Sequence, residues 1–245
     1  MMKGMRIRRK RKREDSWKRT VNRRDDTIYK RVASVIVLSV PLAVFCLVAN
    51  VIMRMKDVYS YSLSASGILG RTTVATSEEE FLGLITDFMN GKVSEFALME
   101  NSAFDPEQIF TALDNQAMTA ARDVLHLMLI VGIAALIVSL IAYFLLIRWR
   151  VKDIFLKRFK AGIAVFAALE ILNIATVCIK PVRLATWGRL IPMEFPDGDN
   201  LVLLLGDAFP RQVVMFETIA GVVAMLLIGY VTWYFAGRRK MFRRF

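Results

Sequence analysis

Four long apolar runs constrain this chain more than any other feature of its 245 residues. The runs cover residues 32–53, 124–147, 161–179 and 214–236, and they carry almost no charge. A bilayer core is about 30 Å thick and is crossed by roughly 20 apolar helical residues, which matches each run. The sequence therefore predicts an all-α protein, built as a four-transmembrane-helix bundle with a helical extracytoplasmic region formed by two external loops.

The charge distribution predicts the side of the membrane that each loop occupies. Residues 1–31 hold 14 Lys and Arg against 4 Asp and Glu, and the 148–160 loop and the 238–245 tail are also basic. The loops 54–123 and 180–211 together carry nine bases and fifteen acids. Because Lys and Arg close to span ends stay in the cytoplasm, we expect both termini to be cytoplasmic and these two loops to be external.

The chain divides into three regions on this interpretation. The basic arm 1–31 is predicted to be disordered, residues 32–237 form the membrane domain, and the basic tail is 238–245. The arm either fixes topology only or contacts anionic lipid, at about 1 kcal/mol per base near the surface. No aromatic or fold motif accompanies the charge, so nucleic acid is not expected as a partner.

The first external loop contains two helix signals. Ser77-Glu78-Glu79-Glu80 is a capping box, and the apolar residues of 81–89 follow helical spacing up to Gly91. The apolar face of this amphipathic helix either packs on the loop, which we favour, or lies on the membrane surface. A second helix-start signal, Asp105-Pro106-Glu107-Gln108, has proline at the first helical position. It predicts a helix that leads into the second span, with a break near Asp114-Asn115.

The third apolar run is interrupted by an acidic residue. Glu170 lies at its centre, where a charge costs roughly 2.5–3.5 kcal/mol on insertion scales, and Asn173 one turn away could hydrogen-bond it. Three interpretations stay open: a neutral residue packed between helices, a contact to a partner subunit, or a proton-coupled site. Cys46 and Cys178 lie within runs and lack zinc spacing. Asp197 and Asp199 alternate as in a calcium loop, but the rest of that pattern is missing, and no metal or other cofactor is expected.

The loops and spans together resemble the Lit-like family of bacterial integral membrane proteins, which includes the lipoprotein intramolecular transacylase. The resemblance covers residues 32 to 236, and it depends on the order and spacing of several stretches. In addition to the four-span arrangement, these are Thr76–Leu82, Asp87–Gly91, Leu113-Asp114-Asn115 before Asp123-Val124, Phe195-Pro196, Asp199, Leu201-Val202, Leu204-Leu205 and Ala208-Phe209. It implies a multi-pass protein of the bacterial cytoplasmic membrane.

The resemblance also implies a chemistry and shows where this chain departs from it. Family enzymes move an acyl chain from a glyceryl ester to the amine of a lipoprotein's terminal cysteine, with two external histidines that transfer protons. Ala120 and Leu184 stand at those positions here, which favours a non-catalytic member. His126 is the chain's one histidine. It points to another helix face about 9 Å deeper, so we interpret it as structural.

Three functional hypotheses follow from these observations. A non-catalytic protein would bind membrane lipid or a lipoprotein in an external, membrane-level cleft around Arg122, Asp123, Phe195 and Asp199. An active acyltransferase would use carboxylates, Asp123 and Asp199, in place of the histidines. A subunit of a larger membrane complex would use Glu170 and the basic arm for contacts with its partners.

Overall fold

The structure is a computed structural model, which describes residues 2–66, 78–96, 110–149, 152–190 and 208–237. These residues contain helices and no strand, so the prediction of an all-α fold is confirmed. In chain order, the helices are α1 (Met2–Ile52), α2 (Lys56–Ser66), α3 (Glu78–Met89), α4 (Ala112–Trp149), α5 (Lys152–Cys178), α6 (Lys180–Leu190) and α7 (Ala208–Gly237).

Four of these helices contain segments long and apolar enough to cross a membrane. The segments are Thr27–Ile52, Ala112–Trp149, Ile154–Cys178 and Phe209–Phe235, one in each predicted span. The α4 segment is longer than its apolar run. Its 38 residues extend about 57 Å, so part of α4 projects beyond a hydrocarbon core of about 30 Å.

Helix α1 is the central helix of the bundle, since it packs against α4, α5 and α7. Half of the most apolar stretch of α1 is buried inside the protein, whereas the buried share is 28%, 17% and 28% for the corresponding stretches of α4, α5 and α7. Polar side chains form hydrogen bonds between α1 and α4 at two positions along the helices. The Ser139 hydroxyl donates to Ser39 Oγ over 2.8 Å, and the buried Asn50 amide donates to the Leu125 carbonyl.

Two glycines bring the spans close together. A Cβ added at Gly132 of α4 would lie 2.9 Å from Leu47 of α1. A Cβ at Gly221 of α7 would lie 2.9 Å from the Phe166 ring of α5. Membrane helices associate by packing rather than by a hydrophobic driving force, so small residues at these contacts let the backbones approach.

The end of the bundle that carries α2, α3 and α6, here called the loop end, has a hydrophobic core of its own. Aromatic rings dominate it: Phe96 and Phe110 lie 4.5 Å apart between centroids, and Tyr59 stacks on Phe209 at 5.3 Å. A second core at the opposite end joins α1, α4, α5 and α7 around Phe155, Phe159 and Phe166, among others. The loop end is therefore a packed layer attached to the membrane bundle.

Helix α3 packs into the loop-end core as the sequence analysis favoured. Phe81, Ile85 and Phe88 are all buried. The helix ends in a Schellman motif, in which Lys92 N–H donates to Asp87 O and Gly91 N–H donates to Phe88 O, each over 2.9 Å. Gly91 adopts a φ of 75°, which an L side chain rarely tolerates. Ser77 of the predicted capping box lies outside the described residues.

The start of α4 differs from the sequence prediction. Thr111 N–H donates to Asp114 Oδ2 over 2.8 Å, and Asp114 N–H donates back to Thr111 Oγ1 over 3.2 Å. This reciprocal pair is a capping box that satisfies two donors at the helix start. The predicted break near Asp114-Asn115 is therefore wrong, because Asp114 lies in the first turn of α4 and caps its start instead of interrupting it. The start predicted at 105–108 lies outside the described residues.

The basic arm also differs from the expectation of disorder. Helix α1 runs from Met2 to Ile52, so residues 2–31 continue the first span as helix. The arm contains no Gly or Pro after Gly4, and its many Lys and Arg residues have high helix propensity. Nothing in the local sequence therefore stops the helix before the membrane. Pro41 lies within α1 without ending it.

Candidate functional site

An apolar cavity of about 420 Å³ lies between the loop-end core and the spans. Its volume falls within the roughly 300–1,000 Å³ that is usual for ligand pockets. All four spans contribute to its wall, so it reaches membrane depth. Its apolar lining includes Phe45, Met53, Met118, Leu125, Phe209 and Val213, and its polar lining includes Asn173, Thr176, Thr186 and Glu217.

Helix α6 closes one side of this cavity. Pro181 has no N–H for the Val177 carbonyl, so α5 ends at Cys178 and the chain resumes as α6 at Lys180. The Trp187 indole N–H then donates to Thr176 Oγ1 over 3.1 Å and holds α6 against α5. Trp187 lines the cavity, and the same short helix carries Leu184.

Two buried carboxyl groups form a crossed pair of hydrogen bonds between α5 and α7. The Thr218 hydroxyl of α7 donates to Glu170 Oε2 of α5 over 2.8 Å. The Asn173 amide of α5 donates to Glu217 Oε2 of α7. Asn173 therefore bonds Glu217 and not Glu170, because its side chain reaches across to the neighbouring helix. The Thr218 bond supports the interpretation of Glu170 as a residue packed between helices of its own chain.

The crossed pair places a buried carboxyl group in the wall of the mainly apolar cavity. Glu217 is 3% exposed and lines the cavity, and Glu170 is 5% exposed. Among the described residues, Oε1 of each carboxyl group has no hydrogen-bond partner. The cavity therefore offers a mainly apolar surface with a few polar groups, Glu217 and its neighbours, which suits an amphiphile better than a polar solute.

A second, open depression of about 540 Å³ lies at the loop end and is more polar. Three candidate site residues from the sequence, Ala120, Arg122 and Asp123, line it together with Glu95 and others. Ala120 and Asp123 are exposed there. The other predicted cleft residues, Phe195 and Asp199, lie outside the described residues, so the four-residue cleft stays a prediction.

Arg122 has contacts that the sequence did not indicate. Its guanidinium lies 4.5 Å from the centroid of the Phe88 ring, and its Nη1 donates to Val93 O over 3.4 Å. A cation–π contact of this kind contributes about 0.5–1 kcal/mol at exposed sites. Arg122 therefore fastens α3 and the segment after it to α4, in addition to lining the depression.

Sequence analysis did not single out Tyr59 or Arg54. Tyr59 is fully buried against the cavity, and its hydroxyl donates to Met53 O over 2.6 Å. Burial raises the pKa of the Tyr59 phenol, and the nearby positive charge of Arg54 acts in the opposite direction. One signal could have identified Arg54: it is a base directly after a span, in a loop where bases are scarce.

The loop end offers no evident metal chemistry in its described part. No group of three or more His, Cys, Asp or Glu side chains within the described ranges is placed to hold a metal ion. His126 is partly buried on α4 and lines neither of the two cavities. The groups available for recognition at the apolar cavity are therefore Glu217, Asn173 and the hydroxyls beside them.

The fold and the cavity define the class of this protein. It is an integral membrane protein in which four spanning helices carry a packed helical layer and enclose an apolar cavity beneath that layer. No family model and no curated protein matches its sequence.

Three solved structures have the same fold. All are in meso structures of the membrane integral lipoprotein intramolecular transacylase Lit from Bacillus cereus, and two of them are histidine variants, to alanine and to arginine. The TM-scores are 0.68, 0.68 and 0.70, each at 12% sequence identity. The alignments cover 88–91% of this chain and 97–99% of those chains. The resemblance to Lit is therefore confirmed at the level of the fold.

Proposed function

We propose that this chain is a non-catalytic, Lit-like membrane protein that holds the acyl chain of a lipid or lipoprotein in its apolar cavity. The observation that carries this proposal is the cavity of about 420 Å³ at membrane depth. A buried apolar wall with few polar groups is the usual form of a site for an apolar ligand. The proteins of the same fold are named as lipoprotein transacylases, which supports a lipid-modified ligand.

The residues at the expected histidine positions support a role without transacylation. Transfer of an acyl group to an amine requires that the amine lose a proton and that the leaving alkoxide gain one. The side chains of Ala120 and Leu184 can do neither. Ala120 lies within the continuous helix α4, so the absence of a proton-transferring side chain there does not remove the apolar cavity from the fold.

We also propose the location and orientation that the charges favour. The chain spans the bacterial cytoplasmic membrane with both termini inside, which places α2, α3 and α6 outside. The polar depression beside Ala120, with Asp123 at its rim, is then the external approach to the protein. Arg122, Phe195 and Asp199 are proposed to contribute to the same rim.

A cavity-filling variant tests the proposal. Ala121 lines the cavity, and Ala121→Phe places a ring in the space that an acyl chain would occupy. Ala134→Phe is the matched control, because Ala134 is exposed on the same helix. We expect a photoreactive diacylglyceryl lipopeptide in nanodiscs to label the wild type and Ala134→Phe equally. Labelling of Ala121→Phe should fall several-fold, and equal labelling of all three proteins would reject the cavity as the site.

The presence of Glu217 in the cavity favours one alternative function. A carboxyl group beside a bound acyl ester is a potential proton acceptor, so an acyltransferase that uses carboxylates in place of histidines is the second candidate. Asp123 in the depression and Asp199 are further candidates for this role. Mass spectrometry of lipoprotein N-termini, in cells with and without the protein, tests this hypothesis. Identical acyl positions in both strains would reject it.

A further inference from the structure

Arg54 presents an unused pair of hydrogen-bond donors. It is partly buried, two residues after the span Thr27–Ile52, and its Nη1 donates to Asn90 Oδ1 over 3.2 Å. Its Nε and Nη2 are buried and have no partner among the described residues. These two nitrogens form one edge of the guanidinium, the geometry that binds two oxygens of a phosphate or carboxylate at once.

The orientation of this edge is fixed by the end of α3. The Asn90 amide donates to Thr86 O over 2.8 Å, which leaves Asn90 Oδ1 available to Arg54. The left-handed turn at Gly91, directly after Asn90, ends the helix at this point. Asn90 therefore holds Nη1, and the Nε–Nη2 edge of Arg54 keeps its hydrogen-bonding capacity unused among the described residues.

Three acids of α3 have partners other than Arg54, and Asp57 of α2 is exposed to solvent. Glu79 pairs with Lys56 over 3.3 Å, and Asp87 pairs with Lys92 over 2.7 Å. Glu78 accepts a hydrogen bond from Ser60. None of the ion pairs in the described part of the chain includes Arg54. The two buried nitrogens of this partly buried cation therefore have the charge and the geometry to bind an anionic ligand.

The position of Arg54 indicates which anion is available. The residue before it, Met53, lines the apolar cavity, as do Tyr59 and Met89. Arg54 follows a spanning segment directly, where the hydrocarbon core gives way to the headgroup region of the bilayer. A phospholipid places its phosphate in this region and its acyl chains in the core.

We propose that the Nε–Nη2 edge of Arg54 binds the phosphate of a phospholipid whose acyl chain occupies the neighbouring cavity. This inference rests on the proposed function for the place of the acyl chain. It adds the headgroup class, since the site would prefer a phosphodiester lipid over a glyceryl lipid without a phosphate. Recognition uses a bidentate, charge-assisted pair of hydrogen bonds, which a lysine cannot reproduce.

The test compares two lipids that differ in the phosphate. The full chain in mixed micelles is titrated with phosphatidylglycerol and with diacylglycerol of the same acyl chains, and bound lipid is counted by native mass spectrometry. We expect the wild type to bind phosphatidylglycerol at least about tenfold more tightly. Arg54→Gln should reduce the ratio of the two affinities, phosphatidylglycerol over diacylglycerol, to near one. Arg54→Lys should reduce it to an intermediate value. Lys92→Gln, the matched loss of a base from an exposed ion pair, should leave the ratio unchanged.

The outcomes separate this inference from the proposed function. An unchanged ratio in Arg54→Gln, with both lipids still bound, overturns the Arg54 site and leaves the cavity in place. Failure of the wild type to bind either lipid overturns the proposed function. If inorganic phosphate displaces phosphatidylglycerol at equal concentration, the anion is a soluble phosphate, and the lipid assignment fails. Thermal melting confirms that each Arg54 variant is folded before its ratio is compared, because Arg54→Gln also removes the hydrogen bond from Nη1 to Asn90.

Discussion

The crossed hydrogen bonds between α5 and α7 allow a quantitative test of the bundle's packing. Thr218→Val keeps the shape of the side chain and removes the one hydrogen bond described for Glu170. Glu170 is only 5% exposed, so water does not replace the lost donor. A buried acceptor left unsatisfied costs about 1–3 kcal/mol, and side-chain hydrogen bonds between membrane helices reach at most about 1.7 kcal/mol. We therefore expect Thr218→Val to lower the free energy of unfolding by about 1–2 kcal/mol.

A double-mutant cycle shows whether this loss comes from the pair. Thr218→Val combined with Glu170→Met removes both partners and leaves an apolar contact of similar volume. Replacement of both partners is close to neutral, so the double variant should recover to within about 1 kcal/mol of the wild type. The same logic applies to Asn173→Leu with Glu217→Met. Sodium dodecyl sulfate titration in mixed micelles, followed by circular dichroism, gives the free energies.

One control isolates the effect of the substitution itself. Thr186→Val makes the same chemical change where the hydroxyl bonds only carbonyls of its own helix, so it should cost less than Thr218→Val. The reasoning is refuted if Thr218→Val and Thr186→Val are equally stable. It is also refuted if the Thr218→Val/Glu170→Met variant is less stable than Thr218→Val alone, since removal of the buried carboxyl would then not relieve the loss.

Two further predictions concern the packing of α4 and the loop-end core. Gly132→Ala places a Cβ 2.9 Å from Leu47 and should lower stability by about 1–3 kcal/mol, whereas Gly83→Ala, with nothing within 4 Å, should raise it by about 0.5–1 kcal/mol. Opposite signs in the same unfolding assay would confirm the close contact, and equal signs would contradict it. Because burial raises the pKa of Tyr59, the stability that its neutral phenol provides is complete below the ordinary value of 10.0 and is lost as the pH rises through the higher folded-state value. At neutral pH, Tyr59→Phe should lower the free energy of unfolding by about 1 kcal/mol, because the hydrogen bond from the phenol is lost. In alkali, the free energy of unfolding of Tyr59→Phe should fall less with rising pH than that of the wild type. Measurement of the free energy of unfolding across this pH range tests both expectations.

The spans and α3 were predictable because strong, local signals specify them. A run of about 20 apolar residues in lipid has to satisfy its backbone within the segment, so length and composition alone identify each spanning helix. In α3, the buried residues Phe81, Ile85 and Phe88 follow helical spacing, and Gly91 ends the helix. Each of these signals acts over a few turns of chain.

The partners of the polar side chains were less predictable because they depend on how helices rotate against one another. Asn173 is one turn from Glu170, so spacing favoured that pair, yet the packing of α5 on α7 directs Asn173 to Glu217. The unused edge of Arg54 likewise depends on the position of Asn90, 36 residues later. Sequence spacing within one helix does not determine such contacts between helices.

The central position of α1 has a consequence for the synthesis of this protein. Its two polar ties to α4, from Asn50 and from Ser39, join residues 75 and 100 positions apart. A ribosome that adds roughly 5–20 residues per second separates these partners by about 4–20 s. During that interval, α1 is complete, but the residues of α4 that form hydrogen bonds with the Asn50 amide and the Ser39 hydroxyl have not yet been synthesised. The helices therefore assemble in the order of their synthesis: α1 is made first, and each later helix packs against the exposed side of α1.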